Sequence, residues 1–344
     1  MKKFSRVFLS LVLIVSLASL ASAAVQGKDG KPYRLKLGYS PSVCQAPLHM
    51  AVEKGFLAAE GLEVENIQVA AAHMQETLGA GQIEAGFGLI GKFLQPVENG
   101  LGIKFTAGIH TGCARVLVPG DSDIKDIAGL RGKRIGVTGP ASADMLIMKR
   151  ALSAENIKVD IKDSEVEFVV FEIADLPLAL KNGAVDAIAL NDPIAAQAEK
   201  EYGLRVLLDT AVTKPFGDEY CCAVFVSSKL AEERPDVAAA FTRATLKAAV
   251  WVHEHPDEAA QIQVDKKYVA GDPVFNASIL RHYNYMPSVQ GAYDAIKLSV
   301  QQLSEIGVIN EKGEDAKKFA DRCYAFFDDV PDSYTVEESK APID

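Results

Sequence analysis

Cys44, in the stretch LKLGYSPSVCQAPLHMAVEKGF (35–56), sits where an apparent strand bends into an apparent helix. A thiol just ahead of a helix N-terminus feels the free backbone N–H groups there, which favour its thiolate. Four chemistries suit such a group. A nucleophile would need a base, His73 or His110, and donors for an oxyanion. A disulfide half would pair with Cys113. A soft-metal ligand would join Cys113, Cys221, His73, His110 and Met74, whose thiolate, imidazole and thioether donors suit copper or zinc. The bland role is a wall: small, weakly polar thiols shape a ligand pocket or pack behind it. That is the leading expectation, with no metal, no cofactor and no catalytic residue.

Motif spacing supports the wall. H-E-x-x-H, C-x-x-C, Walker A and G-x-S-x-G patterns do not occur, and GLRGKR lacks the spacing of a phosphate loop. His253 and His255, two apart, face different sides of a helix. GFGLIG (86–91) matches G-x-G-x-x-G, but no acid for a ribose falls between Gly100 and Gly120. Its glycines are expected to let backbone approach a ligand or helix.

The strand-to-helix turns gather the remaining polar groups. The first turn offers Tyr39, Ser42, Cys44 and Gln45; the next offer His73 and Gly88. His110 and Cys113 come from an outward crossing between lobes, Asn191 and Asp192 from LNDP, and Tyr220 from a return crossing. Ser142, in VTGPASAD, opens a helix whose free N–H groups attract anions. Together these twelve residues are expected to line one ligand-binding cleft. Tyr39, Tyr220, His73 and His110 could stack a flat heterocycle there. Asp144, Asp192 and Glu219 stand near the rim with little positive charge beyond Arg115, which disfavours a bare dianion.

Positioning these groups takes alternating elements. YRLKLGYS, LEVENIQVA, IEAGFGL and IKFTAGI read as strands, with helices APLHMAVEKG and HMQETLGAG between them. RIGV, EVEFVVFE, DAIAL and RVLLD continue the pattern, with helices over 142–154, 175–182 and 193–202. Such alternation predicts βαβ units and two α/β lobes. LGAGQIEAGFGL (78–89) and LKNGAVDAIALN (180–191) echo one another: helix end, glycine, apolar residue, acid, alanine, strand. A helical part follows EYCCAVFVSS, with a long helix from Pro235 and others over 257–268, 273–283, 288–306 and 313–328. The expected layout is a signal peptide over 1–23, lobe one over 24–115 and 221–335, lobe two over 116–220, and a solvated tail over 336–344.

Lys2, Lys3 and Arg6, an apolar run and ASA ending at Ala23 have the form of a cleaved export signal. The first cysteine after it is Cys44, so a lipoprotein is not expected and the destination is periplasmic. A net charge of −10 across 344 residues argues against nucleic acid as a partner. Five cysteines leave at least one unpaired in an oxidising compartment.

Four segments in order carry a family resemblance. LKLGYSPSVCQAPLHMAVEKGFLAAEGLEVE (35–65), IAGLRGKRIGV (127–137), KNGAVDAIALNDP (181–193) and CCAVFVSSKLAEERPDVAAAF (221–241) resemble periplasmic substrate-binding proteins of the nitrate/sulfonate/taurine class of ABC importers, including relatives that bind thiamine-pyrimidine precursors. The resemblance covers about 34–260. It implies a type-II periplasmic binding fold that captures a small-molecule solute by lobe closure and hands it to a permease at the inner membrane, acting as a monomer. It adds no catalytic residues. The alternatives are a cysteine hydrolase or pyrimidine-precursor synthase on the same scaffold, and a soft-metal capture protein.

Overall fold

The computed structural model describes residues 25, 27, 30–140, 142–160, 162–310 and 315–343. The expected export signal lies outside them. Among the described residues no helix is long and apolar enough to cross a membrane.

The first sheet contains β1 (Tyr33–Tyr39), β2 (Leu62–Gln68), β3 (Ala85–Leu89) and β4 (Ile103–Thr111). The second contains β5 (Ala114–Val118), β6 (Arg134–Val137), β7 (Glu167–Val170), β8 (Ala187–Asn191) and β9 (Arg205–Asp209). The last strand, β10 (Tyr220–Ser227), returns to the first sheet. The orders are β2-β1-β3-β10-β4 and β7-β6-β8-β5-β9. In each sheet four strands run in one direction, and one antiparallel strand, β10 or β5, is inserted between the third of them and the last, β4 or β9.

Local chemistry explains these elements. Leu35 and Leu37 alternate with polar neighbours in β1 and are fully buried. Pro47, Pro177, Pro235, Pro256 and Pro273 each sit at a helix start, where the missing N–H costs no hydrogen bond. The helix Ile194–Tyr202 stops at Gly203, which takes a left-handed conformation. The repeated acid has a structural role. Glu84 accepts a hydrogen bond from the Lys36 backbone N–H (3.1 Å), and Asp186 accepts one from that of Arg134 (2.8 Å). Each acid pins its central strand to the parallel neighbour.

The C-terminal helices Pro235–Glu254, Pro256–Asp265, Pro273–His282 and Val289–Glu305 fall where the sequence places them. The last one is shorter than expected. It spans Ala316–Cys323, because Tyr324 turns extended and the Ala325 N–H donates to the Phe105 carbonyl at the free edge of β4. Residues 336–343 are mostly exposed, yet they are docked: Ser339 is buried and the Ile343 N–H donates to the Lys54 carbonyl.

Two connections join the sheets: Gly112–Cys113 between β4 and β5, and 210–219 between β9 and β10. They touch. Gly112 has φ +61°, and a Cβ there would lie 2.1 Å from the Ala211 Cα.

Candidate functional site

A cavity of about 340 Å³ lies between the inner ends of the two sheets. The first half supplies Ser40, Ser42, Cys44 and Gln45 from the turn after β1, then Met74, Phe87, Gly88, Lys92, Phe93 and Cys222. Opposite them stand Thr138, Ser142, Asp144, Ile173, Asn191 and Asp192, with Cys113 at the crossing. The cavity widens into an outer cleft of about 1240 Å³, sharing Ala72, Gln75, Lys92, Thr138, Ser142 and Ile173.

Most polar walls are held by local bonds. Gln45 Oε1 accepts from the Ser40 N–H (2.8 Å), and its Nε2 donates to the Phe87 carbonyl (3.3 Å). Thr138 donates both its backbone N–H and its hydroxyl to Asp144, each at 2.7 Å. Ser142 caps its helix by accepting from the Met145 N–H (3.3 Å). Asp192 accepts from the Ala196 N–H (3.0 Å) and lies 3.2 Å from Arg115; burial pushes its carboxyl up and Arg115 opposes this. Asn191 Oδ1 is buried without a partner. Among the described residues, Lys92 is the cation lining the inner cavity. It donates to the Ala71 carbonyl (3.4 Å), and burial lowers its pKa against the opposing pull of Asp144.

Eight of the twelve sequence-predicted residues meet in this cavity: Ser42, Cys44, Gln45, Gly88, Cys113, Ser142, Asn191 and Asp192. Four do not. Tyr39 shares the β1 face of Leu37 and packs edge-on against His49 and Tyr268. His73 is exposed and pairs with Glu76, one helical turn on (3.0 Å). His110 is fully buried behind the cavity floor, stacked on Tyr283. The Tyr220 hydroxyl donates to the Met286 carbonyl, and its ring covers Gly108. An aromatic clamp from these four is therefore corrected: the rings on the cavity belong to Phe87 and Phe93. Gly88 serves packing, since a Cβ there would come within 2.8 Å of Phe93.

Two rim assignments also change. Arg115 is no free cation, because Asp192, Glu199 and Asp209 surround it at 3.2, 2.7 and 3.8 Å. Glu219 is paired with Arg150. The sequence reading missed Lys92 as a site residue. Its signal was position, in the first turn of the helix Ile90–Glu98 directly after β3.

All five cysteines are free, so Cys44 and Cys113 are not bridged to each other. Four gather at the cavity floor with His110. Cys221 Sγ lies 3.7 Å from Cys113 Sγ and 3.6 Å from His110 Nδ1, and Cys44 Sγ lies 3.2 Å from Ser42 Oγ. Hydrogen bonding to Cys222 and then to His110 holds the Cys44 thiol below its ordinary pKa, against its burial. Burial raises Cys221, but hydrogen bonds with Cys113 and Cys222 more than offset it. Cys113 and Cys222 are raised, first through their bonds to Cys221 and Cys113 respectively. His110 ends above its ordinary value although burial pulls it down, because the nearby Cys44 thiol, and after it Cys113, favour the charged ring.

Known proteins share this arrangement of elements. Residues 44–259 match the family described as NMT1/THI5 like. A putative aliphatic sulfonates-binding protein of Bacillus subtilis is 28% identical over 75% of this chain and 77% of its own. A protein of Aspergillus parasiticus named 4-amino-5-hydroxymethyl-2-methylpyrimidine phosphate synthase is 23% identical over 70% of this chain and 72% of its own. The crystal structure of the periplasmic aliphatic sulphonate binding protein SsuA of Escherichia coli superposes with a TM-score of 0.70 at 16% identity, covering 89% of this chain and 94% of that one. The chain belongs to the NMT1/THI5-like family and has the type-II periplasmic binding protein fold.

Proposed function

We propose that this protein is the extracytoplasmic solute-binding component of an ABC importer, that it captures a small organic anion, and that it is not an enzyme. In this reading 24–115 with 221–335, and 116–220, are two lobes hinged at the crossings. They close on the solute because the second lobe adds contacts in the closed state. The monomeric, periplasmic receptor then delivers its cargo to a membrane permease.

The observation that carries the reading is Lys92, a cation lining a cavity sized for a small molecule together with Phe93, Thr138 and Ser142. A compact anionic head would take the Lys92 ammonium, and an apolar body would lie on Phe87, Met74 and Ile173. Sulfonates named for the relatives have this form. The aromatic positions suit a flat heterocycle less well, since Tyr39, His73, His110 and Tyr220 lie elsewhere.

Calorimetry and small-angle scattering with short alkanesulfonates, nitrate and an aminopyrimidine test this. An alkanesulfonate is expected to bind, contract the particle and remain chemically intact. Lys92→Met should weaken binding roughly 10- to 100-fold, the worth of a charge-assisted hydrogen bond. Steady consumption of a probe without contraction would favour the synthase-like alternative.

A further inference from the structure

We propose that the cavity floor is a binding site for one thiophilic d10 metal ion, Cu(I) or Zn(II), held by Cys221, Cys222 and His110, with Cys113 beside Cys221 as the fourth donor. The proposal does not rest on the organic-anion reading.

Two separate parts of the chain deliver these donors to one place: the end of β4 with the first crossing after it, and the start of β10. Donor atoms of His110, Cys221 and Cys222 lie within 4.8 Å of one another. The Cys113–Cys221 sulfur separation is 3.7 Å. A tetrahedral ion with metal–sulfur bonds of ~2.3 Å sets its sulfurs about 3.8 Å apart, so this edge needs almost no rearrangement. The same pair as a disulfide would have to contract to about 2.05 Å.

The imidazole is prepared in the manner of a metal ligand. His110 Nδ1 lies 3.1 Å from the Thr111 carbonyl. With Nδ1–H donating to that oxygen, Nε2 keeps its lone pair, and Nε2 is buried without a partner in a residue of 0% exposure. A backbone carbonyl orienting the second ring nitrogen is how proteins fix ligating histidines. Tyr283 stacks on the ring at 5.1 Å and Phe87 packs at 5.7 Å, holding it in place and sealing it from water. Sulfur with imidazole selects copper or zinc over hard cations. Each thiol that ligates releases its proton to solvent.

The test uses the full chain, reduced and freed of metal. Added Co(II) should produce thiolate-to-cobalt charge-transfer bands and visible d–d bands that saturate at one ion per chain. Zn(II) or Cu(I) should bleach them, and competition with a chromophoric chelator for each tells which ion is held more tightly. Cys221→Ser and His110→Asn should each weaken binding at least tenfold, with circular dichroism confirming the fold, while Cys323→Ala, a buried thiol outside the cluster, leaves it unchanged. The wild-type cobalt spectrum needs no variant and stands even where one misfolds. Absence of those bands at one equivalent, or bands that survive in folded Cys221→Ser, would overturn the site. So would a Cys113–Cys221 disulfide in the protein as isolated with no metal uptake after reduction. Alkanesulfonate binding, read by calorimetry on metal-free protein, is scored separately.

Discussion

The two halves of the molecule share a plan and differ in chemistry. Each has four strands running one way, an inserted antiparallel one, and an acid that pins the central strand: Glu84 on Lys36 in the first, Asp186 on Arg134 in the second. At their inner ends the likeness stops. The first half presents thiols, Phe87, Phe93, Met74 and Lys92; the second presents Thr138, Ser142, Asp144, Asn191 and Asp192. Most of the second half's polar atoms are already bound to each other or to backbone, so fewer remain for a ligand. The sheet plan sets where a site lies, and the turn residues set what it holds.

The largest test of this contrast lies in the second half's charges. Arg115 is nearly buried among Asp192, Glu199 and Asp209, and the Asp192 side chain is 2% exposed. Arg115→Met removes the cation and leaves those carboxylates facing one another. A loss of about 3–5 kcal/mol in urea denaturation is expected, the usual cost of breaking a buried pair. The loss should shrink in acid, where the orphaned carboxylates take up protons. A neutral outcome would mean that this half does not depend on its internal pairing.

A smaller effect is expected where the halves meet. Gly112→Ala would need a positive φ and would drive a Cβ against the Ala211 backbone. Overpacking of this kind costs about 1–3 kcal/mol. Because the strain falls on the contact between the crossings, solute-induced contraction should be weakened along with stability. Unchanged stability with unchanged contraction would show that the crossings separate freely.

Much of this architecture was readable from periodicity and turn chemistry. Every strand segment proposed from alternation corresponds to a strand, and eight of the turn residues converge because turns at one end of parallel strands must point to one side. The misplaced residues fail for facing reasons. Tyr39 follows Leu35 and Leu37 at period two, so its parity already placed it with the core. His73 has Glu76 at the next turn. Lys92 was passed over because its only mark was position in the first turn after β3, which does not tell which way a side chain of that turn looks. Arg115 could not be known as paired, since its partners come from β8, β9 and the helix between them. The nearness of Cys113 to Cys221 is a product of two crossings about a hundred residues apart, which local patterns do not report.

The smallest effect concerns a link between the halves. His282, at the C-terminal end of the helix Pro273–His282, lies 2.7 Å through Nε2 from Asp209 Oδ2 at the end of β9. Hydrogen bonding to Asp209 raises the imidazole pKa; burial opposes this, Arg115 also lowers it and Asp192 supports the rise. Burial lifts Asp209, but its bond to His282, the Ala211 N–H and the charges of His282 and Arg115 together outweigh that and leave the carboxyl depressed. A raised histidine contributes stability that is full below its unfolded value of about 6.5 and is lost as pH climbs through the folded value. A depressed aspartate contributes above about 3.9 and loses it as pH falls through the folded value. The bridge is therefore strongest in mild acid and fades toward alkaline pH. With the histidine side chain 32% exposed, screening holds its worth to under about 1 kcal/mol. Urea midpoints at mildly acidic and mildly alkaline pH should show wild type losing that increment while His282→Gln does not. Parallel pH profiles in both proteins would mean that the halves are coupled through the crossings alone, without help from this charge pair.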